Sequence, residues 1–251
     1  MLQTSVNRRQ WLRSSALLVG GAALGGLPHR AATAGPADAA LLQELKACTP
    51  PKGDRLAALL AGNRRFMAAW QAAAGEGSLS KRMATLAQVW NDNCQIDPQA
   101  LAQGQKPWVA MLSCADSRIP PEWIFANGSG EMFQVRCAGN TAFDDGIASL
   151  EYAVSVLGIS LVLVMGHSGC GAVKAAMGSQ PLTPLLEGLV KPIRASLVAG
   201  DDLTQAIQAN ARYAAAQLTG RSSVLKDAVA AGTLQIHSAY FDIASGRVTM
   251  L

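Results

Sequence analysis

The sequence predicts an α/β fold, with a mainly parallel central sheet that is flanked by helices and preceded by an N-terminal helical arm. Continuous apolar runs such as LVLVM at 161–165 are typical of strands that are covered on both faces. These runs alternate with helix-like patterns, and such alternation produces right-handed crossovers between parallel strands. In sheets of this kind a ligand site is expected beyond the carboxyl ends of the strands.

Local patterns predict each element in turn, beginning with a helical region over 36–74. Within it, Asp54 is the predicted N-cap of a run whose apolar residues recur at helical spacing from Leu56 to Trp70. A polar loop is expected at 91–98. The remaining predicted elements are strands at 108–112 and 132–135, a helix at 146–157, the strand at 161–165, helices from about 172 and around 184–199, 202–218 and 224–231, and closing strands at 234–240 and 248–250 joined by a turn at 245–246.

The charged residues divide the chain unevenly. There are 21 Lys and Arg residues against 17 Asp and Glu residues. The surplus cations are Arg8, Arg9, Arg13 and Arg30, in a segment without acidic residues, so the chain from Gly35 onward is balanced. A balanced chain gives no indication of a nucleic-acid-binding surface.

The first 34 residues have the features of an export signal. Arg8-Arg9 followed by Gln-Trp-Leu resembles a twin-arginine motif, and Ala-Thr-Ala at 32–34 offers a cleavage site. The apolar run at 14–27 is short and broken by glycine, whereas a membrane span needs about 20 apolar residues. We therefore expect a periplasmic protein without a stable membrane span after cleavage. A basic amphipathic leader or a weak membrane anchor is the alternative. The predicted division of the chain is a signal at 1–34, a helical arm at 35–107 and an α/β core at 108–251 that carries the predicted site.

Two short motifs have the composition of one metal site. Cys114 opens the string CADSR, and His167 and Cys170 belong to the string HSGCG; each string follows a predicted strand. Thiolate and imidazole ligands favour zinc over magnesium or calcium. Three protein ligands of this kind leave a fourth position open, which is typical of catalytic zinc sites.

Three further cysteines remain, and their states stay open at this point. The chain has five cysteines, an odd number, so they cannot all pair within the chain. Cys48 and Cys94 are candidates for a disulfide in an oxidising compartment, and buried free thiols are the equal alternative. Cys137 is the remaining thiol.

The two metal motifs also resemble those of a known family. CADSRIPPEWIF and GHSGCGAV are similar to the first and second zinc motifs of the β-class carbonic anhydrases. FQVRCAGN, ASLEYAVSVLG, LAGNRRF and GQKP resemble further blocks of that family, and the likeness covers about residues 50–251. The resemblance implies the β-carbonic anhydrase fold and the reversible hydration of carbon dioxide to bicarbonate and a proton.

The resemblance also implies roles for individual residues. Zinc is expected on Cys114, His167 and Cys170, and zinc-bound hydroxide is expected to attack carbon dioxide. Asp116 and Arg118 match a dyad that orients this hydroxide, although Asp116 replaces it as the fourth ligand in the inactive form of some members.

Three more residues match the family only by position. Gln105 matches a glutamine that donates a hydrogen bond to the substrate, and Gly139 and Asn140 are expected at the rim of the substrate pocket. The family typically forms homo-oligomers built from dimers, with N-terminal helices that embrace the partner. The apolar face from Leu56 to Trp70 is expected to need such cover.

Two departures from the family pattern carry expectations of their own. Cys137 stands where the family usually has asparagine, which brings a thiol near the pocket. Met111 stands where members with a regulatory bicarbonate site have tryptophan, so bicarbonate inhibition through that site is expected to be weak or absent.

Other functions fit parts of the same pattern. A hydrolase of carbon disulfide or carbonyl sulfide would use the same fold and zinc site on near-isosteric substrates. A non-catalytic zinc-binding scaffold has no need for the dyad or for Gln105. A thiol–disulfide protein is disfavoured because the chain contains no Cys-x-x-Cys motif.

Overall fold

The computed structural model describes residues 51–90 and 98–251. The export signal and both cysteines of the candidate disulfide, Cys48 and Cys94, lie outside the described residues, as does nearly all of the polar loop at 91–98. None of the described helices is long and apolar enough to cross a membrane.

The described residues form helices and strands that alternate over the second half of the chain. In order along the chain they are α1 (Arg55–Ala74), α2 (Leu79–Ala87), a 3₁₀ turn (Gln88–Trp90), α3 (Pro98–Gln103), β1 (Val109–Cys114), α4 (Pro121–Ile124), β2 (Met132–Cys137), α5 (Asp144–Ser155), β3 (Leu161–His167), α6 (Gly171–Met177), α7 (Pro184–Arg194), α8 (Leu203–Arg221), α9 (Ser223–Ala230), β4 (Gln235–Asp242) and β5 (Arg247–Met250).

The strands form one sheet in the order β2-β1-β3-β4-β5. The first four strands in this order run parallel, and β5 closes the sheet antiparallel to β4. The predicted α/β class and the mainly parallel sheet are therefore confirmed. The central strands are longer than predicted, because β1 and β3 continue through Cys114 and His167.

Alternate side chains of the central strands enter two separate cores, so helices cover both faces of the sheet. Met111 and Leu163 pack on one face, together with residues of α1, α6, α7 and the start of α8. Leu112 and Val164 pack on the other face, against α5, α9 and the second half of α8. Full burial of such side chains contributes about 1.5–3 kcal/mol each, which explains the continuous apolar runs.

Helix α1 is held tightly against the rest of its own chain. Asp54 caps it by accepting a hydrogen bond from the Ala57 N–H at 3.0 Å, as predicted. Asn63 is buried; it donates to the carbonyls of Ile124 and Gly246 and accepts from the Val248 N–H.

The apolar face of α1 was expected to need a partner subunit, and part of it is instead covered within the chain, whereas Leu56 and Leu60 stay partly exposed. Leu59 is fully buried and Phe66 is 3% exposed within the single chain. Phe66 also stacks on Trp70, whose indole N–H donates to the Ile243 carbonyl at 3.0 Å. The sheet and the β4–β5 turn cover this part of the face.

Candidate metal centre

The metal-ligating side chains meet where β1 and β3 end side by side. Ser113 is paired with Met165, so Cys114 and His167 leave adjacent strands at the same edge of the sheet. Cys170 follows after a short turn in which Gly169 adopts a φ of +68°, a conformation that favours glycine. The ligating atoms of Cys114, His167 and Cys170 all lie within 4.8 Å of one another, and all three residues are buried.

The imidazole of His167 is oriented towards the thiols. Its Nδ1 lies 3.1 Å from the Ser168 carbonyl, which can only accept, so Nδ1 carries the proton and Nε2 has a free lone pair. Among the described residues Nε2 is buried without a hydrogen-bond partner. A buried acceptor of this kind is costly to leave unpaired, and a metal ion on Nε2 would satisfy it.

The two thiols share one proton. A hydrogen bond from Cys170 lowers the pKa of Cys114 well below its usual range, assisted by hydrogen bonds from the backbone of Gly139 and Asp116. The same contact with Cys114, together with burial, raises the pKa of Cys170. The N–H groups of the first turn of α6 oppose that rise. A divalent cation would take the place of the shared proton and hold both groups as thiolates.

The turn after β2 closes over the Cys114 thiolate. The Gly139 N–H lies 3.3 Å from Cys114 Sγ, and the Gly139 carbonyl accepts from the buried side chain of Asn210 at 2.8 Å. Asn140 follows with a φ of +48° and is buried, and neither amide atom of its side chain has a partner among the described residues. Gly139 therefore lies beside the cluster, and Asn140 is the next residue of the same turn.

Asp116 and Arg118 form the predicted pair. Asp116 Oδ1 accepts from the backbone N–H and Nε of Arg118 at 2.9 Å each, and Oδ2 accepts from Nη2 at 2.6 Å. These hydrogen bonds hold the pKa of the Asp116 carboxyl well below its usual range, so it is ionised at neutral pH. Oδ2 also lies 3.9 Å from His167 Nε2, so the carboxylate faces the metal-binding cluster while it remains bound to Arg118.

Gln105 is not brought to this cluster within the chain. It is exposed in the segment before β1, at the amino end of the sheet. From Trp108 to Cys114 the chain runs extended for about 20 Å at roughly 3.3 Å per residue. The cluster lies at the far end of that strand.

The structure describes both residues that depart from the family pattern, Cys137 and Met111. Cys137 is paired in register with Cys114 but does not belong to the ligand cluster. Its thiol contacts the Thr141 carbonyl and hydroxyl at 3.3 Å, and burial raises its pKa. Met111 is fully buried inside β1. The expectation of weak bicarbonate inhibition stays a prediction.

Sequence reasoning assigned no role to three residues that contact the site. They are Ser168, whose carbonyl orients His167; Asn210, which holds the Gly139 carbonyl; and Arg136, which binds the carbonyls of Cys114 and Asp116. Asn210 lies 71 positions from Gly139. No local pattern marks such a contact, although Arg136 lies within the recognised FQVRCAGN block.

The donor set and its surroundings fit a soft divalent cation. Two thiol groups and an unpaired imidazole nitrogen converge in a buried position, and an ionised carboxylate stands beside them. A mainly parallel sheet with such a cluster at the carboxyl ends of its strands defines a metal-dependent α/β enzyme.

The particular family follows from comparison with known proteins. The family description "carbonic anhydrase" matches residues 109–248. Carbonic anhydrase 2 of Mycobacterium tuberculosis is 36% identical over 165 residues, which are 62% of this chain and 80% of the relative. A carbonic anhydrase of Mycolicibacterium smegmatis is 35% identical over 160 residues, covering 60% of this chain and 78% of that protein.

Solved structures agree with these sequence relatives. A tetrameric β-carbonic anhydrase of Sordaria macrospora is similar with a TM-score of 0.56 and 26% identity, over 69% of this chain and 94% of that one. The β-carbonic anhydrase CafA of Aspergillus fumigatus is similar with a TM-score of 0.56 and 27% identity, over 79% and 91% of the two chains. The chain belongs to the β-class carbonic anhydrase family, enzymes whose general activity is the hydration of carbon dioxide.

Proposed function

We propose that this protein catalyses the zinc-dependent, reversible hydration of carbon dioxide to bicarbonate and a proton. One observation carries the proposal: the ionised Asp116 carboxylate is bound by Arg118 and still has Oδ2 within 3.9 Å of the unpaired His167 Nε2. A purely structural metal site has no use for a carboxylate oriented in this way.

Cys114, His167 and Cys170 would hold the ion. Two thiolates and one imidazole favour zinc and leave a fourth tetrahedral position free. A bound Zn²⁺ supplies Lewis-acid chemistry, which brings the ionisation of water close to neutral pH. The Gly139 N–H donates to Cys114 Sγ at 3.3 Å and so stabilises its thiolate form.

Asp116 would orient the nucleophile. Oδ1 already accepts two hydrogen bonds from Arg118, whereas Oδ2 accepts one and keeps a lone pair for a further donor. Because the carboxylate is ionised, Oδ2 can only accept, so the nucleophile must direct its hydrogen to Asp116 and a lone pair to the carbon of carbon dioxide. Attack then forms one C–O bond while the π pair of one C=O bond of carbon dioxide moves to its oxygen, which gives bicarbonate. The proton of the overall reaction is the one that water releases to solvent when it ionises.

Gln105 would act from a second copy of the chain. Its exposed position at the amino end of β1 keeps it away from the cluster of its own protomer. A homo-oligomer built from dimers would place it at a neighbouring site, where its amide would donate to a substrate oxygen. The description of the Sordaria macrospora relatives as tetrameric supports an oligomer.

Neither alternative function gains support from the relatives described above. Hydrolysis of carbon disulfide or carbonyl sulfide would need the same cluster, and no contact in the described residues favours sulfur substrates. A non-catalytic scaffold does not account for the Asp116–Arg118 pair.

Stopped-flow carbon dioxide hydration by the zinc-loaded protein at alkaline pH tests the proposal. Wild type is expected to turn over rapidly. Asp116→Asn is expected to keep its zinc but to lose about 10²- to 10³-fold in rate, as when one preorganised hydrogen-bond partner is removed from an active site. Asp227→Asn, which changes an exposed carboxylate on α9, is the matched control and should retain full rate.

Two outcomes would contradict the proposal. Absence of hydration by zinc-loaded wild type would shift the assignment to the sulfur-substrate hydrolase or to the scaffold. Normal turnover of Asp116→Asn would remove Asp116 from the mechanism. Measurement of zinc content on the same samples separates loss of catalysis from loss of metal.

A further inference from the structure

Arg136 lies on β2 but binds the turn that follows β1. Its Nε donates to the Cys114 carbonyl at 3.0 Å, and its Nη2 donates to the Asp116 carbonyl at 2.7 Å. These carbonyls flank Ala115, so one planar guanidinium holds two peptide groups of the same turn. Among residues 51–90 and 98–251, Arg136 has no carboxylate within ion-pair distance, and its charge is directed at these two carbonyls.

The turn that Arg136 holds carries two side chains of the site. Cys114 precedes it with a metal-binding thiol, and Asp116 carries the carboxylate. The Arg118 N–H bonds to Asp116 Oδ1 at 2.9 Å, a local bond that requires the backbone from 116 to 118 to keep its present shape. The Asp116 carbonyl that Arg136 holds belongs to this same short segment.

Asp116 has two competing partners. It is bound to Arg118, and its Oδ2 is only 3.9 Å from the nitrogen that would ligate the metal. Carboxylate oxygen is itself a normal zinc ligand. A small change in the turn would therefore bring the carboxylate onto the ion and fill the fourth position.

We propose that Arg136 is a positioning residue, which holds the turn from Cys114 to Asp116 so that the Asp116 carboxylate stays on Arg118 and the fourth metal position stays open. The proposal rests on the proposed function, because an open position matters only to a catalytic site. Arg136 itself does not touch the substrate.

Binding of azide to the cobalt(II)-substituted protein, followed by visible absorption, tests this role without measuring turnover. Azide needs an open coordination position. In Arg136→Ala the carboxylate should compete for it, so the apparent azide affinity should fall about tenfold if the open form falls to about a tenth of the population. Arg212→Ala, which removes an exposed arginine of α8 and changes the net charge equally, should bind azide like wild type.

A double variant distinguishes positioning from simple damage to the fold. Arg136→Ala combined with Asp116→Ala should regain azide affinity, because the competing carboxylate is gone. A defect caused by general distortion would persist in the double variant, and that result would overturn the proposal. Equal azide affinity in Arg136→Ala and Arg212→Ala would also overturn it.

If Arg136→Ala does not fold, Arg136→Lys replaces it in the azide-binding test. Lysine retains the charge but lacks the planar fork that reaches both carbonyls. It should show a smaller loss of azide affinity, again removed by Asp116→Ala, and an undiminished affinity would count against the proposal. Hydration by wild type tests the proposed function separately, so failure of one does not imply failure of the other.

Discussion

Replacement of Gly139 by alanine probes a backbone contact of the Cys114 thiolate. Gly139 has a φ of +78°, and a Cβ added there would lie 2.6 Å from Ile193 Cδ1 and 3.0 Å from Ala172 Cβ. The same residue donates its N–H to Cys114 Sγ. Alanine therefore brings backbone strain, a steric clash and displacement of a hydrogen-bond donor at one position.

The expected loss in the free energy of unfolding of Gly139→Ala has two parts, backbone strain and overpacking. A left-handed backbone costs a residue with Cβ about 1–2 kcal/mol, and overpacking of a filled core costs about 1–3 kcal/mol. Gly139→Ala should thus lower the free energy of unfolding by about 2–5 kcal/mol. Gly158→Ala is the matched control, since Gly158 has a φ of +71° with nothing within 4 Å of the added Cβ. Gly158→Ala should lose only the contribution from backbone strain, about 1–2 kcal/mol of the free energy of unfolding.

Urea unfolding of the zinc-loaded variants, at one protein concentration and one free zinc concentration, measures both values. Gly139→Ala combined with Ile193→Val, which removes the contacting methyl, should cost less than the sum of the single changes. Equal destabilisation by Gly139→Ala and Gly158→Ala would refute the reasoning, because it would show that the packing against Ile193 carries no cost.

Two further predictions concern the assembly and the pH dependence. Cys170→Ser should lose zinc and activity together, and Gln105→Ala should lose activity alone. If Gln105 serves a neighbouring protomer, co-refolding the two inactive chains in equal amounts should restore about a quarter of wild-type hydration. Half of the randomly paired dimers are then mixed, and each mixed dimer carries one complete site of two. No recovery would assign Gln105 to its own protomer. The Ser245 hydroxyl lowers the pKa of Asp242 in the folded protein. This carboxylate therefore stabilises the fold at pH values above its unfolded pKa of about 3.9. That stabilisation is lost as the pH falls through the lower pKa of the folded state. The excess stability of wild type over Asp242→Asn, measured by urea unfolding, should therefore shrink as the pH falls below about 4, and a constant difference would contradict this sign.

Residue patterns alone predicted the sheet and three members of the metal cluster. The burial of β1 and β3 on both faces shows directly as apolar runs, because a side chain without access to water must be apolar whatever its neighbours are. Cys114, His167 and Cys170 could be grouped because each lies at or just after the end of a predicted strand, and parallel strands end at one edge. The Asp54 cap was also predictable, since capping depends on residues a few positions apart.

Contacts between distant segments were not predictable in this way. The sequence analysis did not foresee that the β4–β5 turn covers part of the α1 face, because periodicity shows that a face is buried but not what buries it. Asn63 makes its hydrogen bonds with residues 61 to 185 positions away, and no local pattern encodes such partners.

The sequence by itself determined the fold class, the donor atoms and the edge of the sheet where they meet, since these depend on local hydrophobicity and on ligand chemistry. Only the tertiary structure decided how those donors are held. The Gly139 N–H reaches Cys114, and Arg136 binds the turn after β1, through hydrogen bonds between separate segments. Such bonds depend on distance and angle in three dimensions, which residue spacing along the chain does not specify.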